Sequence, residues 1–262
     1  MSKKKVLTVM LTLLVAVCLL ATSALAVAPT TPTTPTAPTA PTAPTTPTDP
    51  TAPTNPTAPT NPTAPTNPTD PTNPTVGPNL PFTDITVGAW YYNAVVWAVE
   101  NNVTVGTSAT TFSPAKVCTR AELIEFVWNL AGQPKATIDS VPFTDVPESG
   151  SAAFWYEDSL LWAYENKIVA GTNEDGTTFS PNRACTRAEM MSFLVRLLSE
   201  DGDEVYTETP FTDVDTGAWY YEDLLWAYTY ELTYGTSATT FSPLNTCSRA
   251  EAVQFLYNAF AE

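Results

Sequence analysis

Arginine occupies the same place in three copies of a short motif, Thr/Ser-Arg-Ala-Glu, at Arg120, Arg187 and Arg249. The motif has the form of a capping box, in which a hydroxyl and a glutamate satisfy backbone amides at the start of a helix. The helix dipole disfavours a cation in this first turn, so its recurrence needs a reason. Two explanations stay open. Each arginine could pair with its own capping glutamate or a nearby aspartate, or it could form an anion site beside free helix amides.

Three further residue types recur at fixed places around the motif. The aspartate of Pro-Phe-Thr-Asp could hydrogen-bond the turn into the following helix, contact a sugar, or do both. The tryptophan of Trp-Tyr could stack on a sugar ring or seal the contact between repeats. A glycine opens the loop that ends in Phe-Ser-Pro. These candidate residues are Asp84, Asp145 and Asp213, Trp90, Trp155 and Trp219, and Gly106, Gly171 and Gly235.

Composition argues against several classes of function. The 262 residues include 27 Asp+Glu against 11 Lys+Arg, a net charge of −16, so a nucleic acid is not an expected partner. The chain has no histidine, the commonest general base and a usual zinc ligand. Carboxylates are abundant, but no pair is set apart as an acid and a base. We therefore expect no enzymatic activity and no cofactor.

One cysteine lies two residues before each motif arginine, at Cys118, Cys185 and Cys247. Three cysteines in a secreted chain cannot form a closed set of disulfides. Because the positions are equivalent, a threefold arrangement could gather them into a three-thiolate metal site. The alternative, which we favour, is a small buried apolar side chain at each position.

The repeats predict a mainly α fold of helix-loop-helix units. The first helix should cover about Trp90 to Asn101, with Trp97, Trp162 and Trp226 in the core of their repeats. The second should begin at the capping box and bury an apolar face. A unit of about 50 residues has too little core to be stable alone, so we expect the three to pack as one domain. The expected repeats are 81–132, 142–199 and 210–261.

The segment before the repeats divides in two. Residues 1–26 have the basic, apolar and Ala-x-Ala regions of a secretory signal peptide, so we expect no membrane span once it is cleaved. A lipoprotein signal through Cys18 is a weaker alternative. In the linker, 27–80, proline falls at every third residue from Pro29 to Pro74, which predicts a polyproline II spacer. Its threonines could carry O-linked glycans.

The motifs Phe-Thr-Asp, Trp-Tyr, Thr-Phe-Ser-Pro and Thr-Arg-Ala-Glu, in this order three times, resemble the S-layer homology domain over roughly residues 81–261. The resemblance implies a pseudo-threefold domain that anchors a secreted protein at the cell wall or surface layer. It also implies binding of secondary cell-wall polysaccharide, typically through a terminal pyruvylated N-acetylmannosamine, in grooves between neighbouring repeats. Arg120, Arg187 and Arg249 would be the main contacts to the acidic sugar.

The sequence departs from that family in three ways. Cysteine replaces the aliphatic residue that often precedes the motif, and Ser248 replaces threonine in repeat three. The loops after Gly106 and Gly235 are neutral, whereas the loop of repeat two contains Glu174-Asp175-Gly176. The sugar preference and the equivalence of the three grooves are therefore open. An alternative function is a self-associating surface-layer protein in which glycan binding is secondary. The protein partner or cargo is not indicated.

Overall fold

The computed structural model describes residues 80–200 and 202–261, which form six α-helices, two in each repeat. The predicted signal peptide and linker lie outside the described residues. The helices of repeat one are α1, Tyr92–Glu100, and α2, Arg120–Leu130. Repeat two has α3, Glu157–Glu165, and α4, Arg187–Leu198, and repeat three has α5, Tyr221–Thr229, and α6, Arg249–Phe260.

The second helix of each repeat begins at the predicted capping box. The Thr119 hydroxyl accepts a hydrogen bond from the Glu122 amide, and the Glu122 carboxylate accepts one from the Thr119 amide at 2.9 Å. The same reciprocal bonds are present at the starts of α4 and α6, where Ser248 replaces threonine without loss of the cap. These caps fix where the central helices start, which in turn fixes the position of the arginine that follows.

The first helices are shorter than predicted. Helix α1 begins at Tyr92 rather than Trp90, because the chain first makes a turn in which the Tyr92 amide donates to the Ala89 carbonyl. It has no side-chain cap at its start. A helix of nine residues is marginal in water by itself. The first helices therefore depend on packing against the rest of the domain.

Each second helix packs against the first helix of the following repeat. The contacting pairs are α2 with α3, α4 with α5, and α6 with α1, so the third repeat closes onto the first. Helix α4 also contacts α2 and α6, which places the second helices at the centre. Isolated bridges are present, but no strand forms in the described parts of the chain. The mainly α prediction, with three repeats packed as one domain, is confirmed.

A ring of backbone hydrogen bonds joins the three repeats around the pseudo-threefold axis. The Cys118 amide donates to the Cys247 carbonyl at 2.9 Å, the Cys185 amide to Cys118 at 3.0 Å, and the Cys247 amide to Cys185 at 2.8 Å. All three cysteines are fully buried. Each residue gives one bond and receives one, so removal of any repeat would leave buried backbone groups without partners. The core is shared by the whole domain.

Candidate functional site

Each motif arginine reaches across the boundary into the next repeat of the ring. Its Nε donates to the carbonyl of the phenylalanine in that repeat's Phe-Ser-Pro segment. We name the three boundaries after the repeats that form them. Groove 1/2 contains Arg120 and Phe179 at 2.8 Å, groove 2/3 contains Arg187 and Phe241 at 2.9 Å, and groove 3/1 contains Arg249 and Phe112 at 2.9 Å.

The arginines are buried, with only 3–5% of each residue exposed. In groove 1/2 the guanidinium carbon of Arg120 lies 4.8 Å from the centre of the Phe179 ring and 5.3 Å from that of Phe193. The other two grooves repeat this sandwich. Burial lowers the pKa of Arg120 and of Arg249 below the usual value of a guanidinium. Cation–π contact and hydrogen bonds compensate the loss of water, so the arginines hold the repeats together.

The expectation of free helix amides beside these arginines is wrong. At the start of α2, the Arg120 amide donates to the Arg183 carbonyl and the Ala121 amide to the Pro181 carbonyl, both at 3.1 Å. The third amide, of Glu122, binds the Thr119 hydroxyl. Helices α4 and α6 are closed in the same way. The amides that could bind an anion therefore already donate to carbonyls of the next repeat or to the capping hydroxyl. An anion in the groove would have to be bound by side chains.

The carboxylate partner of the arginine also comes from the next repeat and not, as one explanation held, from its own capping box. Nη1 of Arg120 donates to Glu189 at 2.8 Å, and Nη1 of Arg187 donates to Glu251 at 2.6 Å. Groove 3/1 differs. There Arg249 uses Nη2 to bond the Thr104 hydroxyl at 3.3 Å and the Val105 carbonyl at 2.7 Å, and no ion pair of Arg249 is present in the described part of the chain.

The motif aspartates bind the same Phe-Ser segment from the other side. Asp84 Oδ1 accepts from the Phe112 amide at 2.8 Å and Oδ2 from the Ser113 amide at 2.7 Å. Asp145 and Asp213 do the same in their repeats. They therefore clamp the loop before the second helix, not the turn into the first. Burial opposes ionisation of Asp84 most strongly, but the two amides and Arg249 together lower its pKa.

The clamp explains a strained residue. Ser113 has a φ of 59°, in the left-handed region that costs energy for a residue with a side chain. Its equivalents, Ser180 and Ser242, have φ of 57°. A carboxylate on the serine amide and on the preceding amide holds this conformation. The aspartate and the arginine thus share one phenylalanine backbone, which the aspartate binds at the amide and the arginine at the carbonyl.

The loop glycines are required by close packing. A Cβ on Gly106 would lie 2.4 Å from the Thr111 carbonyl oxygen and from Phe82, and one on Gly171 would lie 2.5 Å from the Gly176 backbone. Gly235 meets the Thr240 carbonyl at 2.4 Å and also has a φ of +82°. A side chain at any of the three positions would collide with the loop, so these close contacts explain why each residue is glycine.

The Trp-Tyr tryptophans are solvent-exposed, at 44% for Trp90, 56% for Trp155 and 60% for Trp219. Each packs edge-on against the following tyrosine, with ring centres 5.1–5.3 Å apart. In groove 1/2 the tyrosine, Tyr156, lies 6.5 Å from the Phe179 ring that supports Arg120. Three successive contacts, Trp155 with Tyr156, Tyr156 with Phe179, and Phe179 with Arg120, therefore connect an exposed indole to a buried arginine. The second tryptophans, by contrast, are core: Trp162 and Trp226 are buried and Trp97 is partly buried.

The cysteines are thiols packed in the core. Burial raises the pKa of Cys118 to about 12 and those of Cys185 and Cys247 well above the usual value, which disfavours the thiolate that a metal requires. Among the described residues no cluster of three or more His, Cys, Asp or Glu is arranged to hold a metal ion. The structure therefore supports the small apolar side chain over the three-thiolate site.

Sequence reasoning missed one position, four residues before each motif arginine. It carries Lys116, Arg183 and Asn245 in the three repeats. Lys116 binds the capping Glu122, and Arg183 binds the capping Glu189, whose Oε1 accepts from both Arg183 and Arg120. The side chains of Lys116 and Arg183 are 45% and 43% exposed. Aligning the three repeats would have found it, because only two of the three have a cation there.

The fold and these grooves define a class of protein built from three tandem repeats whose arginines close the boundaries between them. Sequence comparison agrees. The S-layer homology domain profile matches residues 81–124, 142–191 and 210–253. Because these segments make up more than half of the chain, the chain belongs to the S-layer homology domain family.

Curated relatives include surface-layer proteins and extracellular enzymes. An S-layer protein of Bacillus thuringiensis subsp. finitimus is 27% identical over 67% of this chain and 21% of its own length. The surface-layer 125 kDa protein of Lysinibacillus sphaericus is 32% identical over 41% of this chain and 9% of its own. An endoglucanase of Bacillus sp. (strain KSM-635) is 28% identical over 67% of this chain, but over only 18% of the enzyme.

This chain spans about a fifth or less of the length of these relatives. What it shares with the endoglucanase is thus a small part of that enzyme, so the enzyme's name assigns no reaction here. The family and the surface-layer relatives support a location at the cell surface, anchored to the wall. None of the helices in the described ranges has the length and apolar character to span a bilayer.

Proposed function

We propose that the three repeats are a non-catalytic anchor that binds an acidic secondary cell-wall polysaccharide, with a pyruvylated sugar end in the grooves between repeats. The observation that carries this proposal is in groove 1/2, where exposed Trp155 packs on Tyr156, whose ring lies 6.5 Å from the Phe179 ring that supports Arg120. A guanidinium is suited to a carboxylate, and an indole face is suited to the apolar side of a sugar ring.

Loop hydroxyls add hydrogen-bonding groups next to the Phe-Ser-Pro segments that the arginines bind. In the loop of repeat one, the Thr107 hydroxyl lies 3.2 Å from that of Thr111 and 2.7 Å from that of Ser113. The loops of repeats two and three have the same ladder. Hydroxyl groups can donate and accept, which suits the hydroxyls of a polysaccharide.

The test is co-sedimentation of the full chain with purified wall polysaccharide, native and depyruvylated. We expect binding to the native polysaccharide and a loss of at least about tenfold after depyruvylation, as for loss of a charged hydrogen-bonded group. Trp155→Ala should weaken binding without unfolding the domain, because the indole is exposed. Failure of the wild-type chain to sediment with native polysaccharide would exclude the proposal.

A second candidate is a self-associating surface-layer protein, which the names of two relatives favour. Its test is light scattering and electron microscopy of the purified chain without polysaccharide. Ordered assemblies under those conditions would support it. A chain that stays monomeric until polysaccharide is added would support the anchor instead.

A further inference from the structure

We propose that the three grooves are unequal carboxylate sites, with groove 3/1 the principal site, groove 1/2 weaker, and groove 2/3 inactive. This inference rests on the proposed function, since it ranks the grooves for the acidic end of the same glycan. It assigns Lys116 and Arg183 as the residues that set the ranking, and Asn245 as the reason that groove 2/3 is inactive.

The buried contacts of the arginine Nε, the phenylalanine rings and the first helix amides are the same in all three grooves. They cannot make one groove bind an anion more tightly than another. In all three, Nε of the arginine donates to a phenylalanine carbonyl at 2.8–2.9 Å, and the guanidinium lies between two phenylalanine rings. In all three, the first two amides of the helix are bonded to carbonyls of the next repeat. Any difference in anion binding must therefore come from the charged groups around the terminal nitrogens.

In groove 3/1 one of these nitrogens has no hydrogen-bond partner in the part of the chain that the structure describes. In grooves 1/2 and 2/3, Nη1 binds a glutamate at 2.8 Å and 2.6 Å. In groove 3/1, Lys116 binds the corresponding Glu122, and Nη1 of Arg249 makes no hydrogen bond to any described residue. Only 5% of the surface of Arg249 is exposed to solvent. A donor that binds a carboxylate in two grooves is thus available for one in the third.

The second cation separates grooves 3/1 and 1/2 from groove 2/3. Groove 3/1 has Arg249 beside the ion pair of Lys116 and Glu122, and groove 1/2 has Arg120 and Arg183 paired with Glu189, so each has one more cation than groove 2/3. The motif aspartate is common to all three grooves and does not change this difference. In groove 2/3, Glu251 is the one ion-pair partner of Arg187 among the described residues. Nη2 of Arg187 also makes no hydrogen bond to a described residue. The guanidinium of Arg187 nevertheless has a carboxylate partner already, because its Nη1 donates to Glu251. A ligand carboxylate entering groove 2/3 would meet Glu251 with no compensating cation.

The loops separate grooves 3/1 and 1/2. The loop of repeat one, which Arg249 bonds at Val105, contains no charged residue between Gly106 and Phe112. The loop of repeat two, which Arg120 bonds at Ala170, contains Glu174 and Asp175. Both acids are exposed. They lower the local positive potential, and in groove 1/2 Nη1 is already occupied, so this groove should bind an acidic ligand less well.

The ligand that fits groove 3/1 is a carboxylate on a glycan end. It would accept from Nη1 of Arg249, take the place that a glutamate occupies in the other grooves, and contact the flexible ammonium of Lys116. A guanidinium and a carboxylate have matching planar geometry, which favours a carboxylate over a spherical anion.

The experiment compares three single variants of the full chain by calorimetric titration with native wall polysaccharide. Lys116→Asn copies repeat three into repeat one and frees Glu122 to neutralise Arg249. We expect it to raise Kd by about tenfold, the usual effect of losing a charge-assisted contact. Arg183→Asn should raise Kd about two- to threefold, and Asn245→Lys should leave Kd unchanged or lower it.

Lys135→Asn is the matched control, because it removes one exposed positive charge from the segment between repeats one and two. It should change Kd by less than twofold. Equal effects of Lys116→Asn and Arg183→Asn, or an effect of Lys116→Asn no larger than that of Lys135→Asn, would overturn the ranking. If the wild-type chain binds neither native nor depyruvylated polysaccharide, the proposed function itself fails. Denaturant unfolding of each variant confirms that the differences are not losses of fold.

Discussion

The threefold axis and the groove rims differ in how closely the three repeats agree. At the axis each repeat has a buried cysteine whose amide donates to the next cysteine carbonyl at 2.8–3.0 Å. At the rims one equivalent position carries Lys116, Arg183 and Asn245. Packing and backbone pairing thus keep the inner residues identical, while solvent exposure leaves the outer ones free to vary. Changes near the axis should cost stability, and changes at the rims should cost binding.

The largest loss of stability is expected from Arg187→Ala. The variant removes a buried guanidinium. It leaves Glu251 without the one cation that pairs with it among residues 80–200 and 202–261, and the Phe241 carbonyl without its donor. Breaking a buried ion pair by removing one partner costs about 3 kcal/mol or more. Urea unfolding of the full chain, followed by tryptophan fluorescence, measures this change.

Arg249→Ala sharpens the comparison among the grooves. The variant removes a similar set of backbone hydrogen bonds and ring contacts. It leaves no unpaired glutamate, because Lys116 binds Glu122. It should therefore cost less, about 2 kcal/mol for unsatisfied carbonyls and lost ring contacts. Arg183→Ala is the rim control and should cost under about 1 kcal/mol. Equal losses for Arg187→Ala and Arg249→Ala would contradict the different charge balance of the two grooves.

These arginines show how far the sequence alone could lead. The repeats, the capping boxes and the fold class follow from local spacing, and the structure confirms the helices and their packing into one domain. The partners of Arg120, by contrast, lie 50 to 69 residues away in the next repeat. Periodicity within one repeat has no information about such contacts. The cyclic closure that occupies the helix amides could therefore not be derived from the motif itself.

The aspartates illustrate the same limit at shorter range. The turn and the sugar were the alternatives for Asp84, yet it binds amides 28 and 29 residues further along the chain. The positive φ of Ser113 creates the need for this clamp, and no residue type at that position indicates it. Serine, unlike glycine, is not a typical left-handed residue.

The next prediction concerns the axis. Cys118→Ser should destabilise the domain by about 1–2 kcal/mol, because it places a hydroxyl in a fully buried apolar site. Cys118→Val is the matched variant and should cost less, since it stays apolar at a similar volume. In addition, the native thiols should react with Ellman's reagent only upon unfolding. Fast reaction of the folded protein would contradict a closed axis.

The smallest effect is expected between the axis and the rim, at the interface of α2 and α3. The Ser159 hydroxyl donates to Glu125 at 2.6 Å, and Ser159 is fully buried. Burial raises the pKa of Glu125, with the nearby Asp158 adding to the rise and the Ser159 bond opposing it. The folded protein thus holds this proton more tightly than the unfolded chain. The tighter binding of this proton stabilises the folded protein at pH values below 4.5, the ordinary pKa of glutamate. This stabilisation is lost as the pH rises through the higher pKa that Glu125 has in the folded protein.

Glu125→Gln should therefore stabilise the domain at pH 7 by less than about 1 kcal/mol, because a partly exposed group is screened by solvent. The gain should vanish below the ordinary pKa, where wild-type Glu125 is protonated.

Glu189 works in the opposite direction. Burial opposes its ionisation most strongly, but Arg183, the Thr186 amide and Arg120 lower its pKa, so its contribution is lost as the pH falls. Repeat three already has Gln254 at the position of Glu125, and Gln254→Glu should reverse the effect. Thermal unfolding at pH 7 and pH 4 measures both variants. A gain for Glu125→Gln that persists at pH 4 would mean that packing, not the charge, makes the difference.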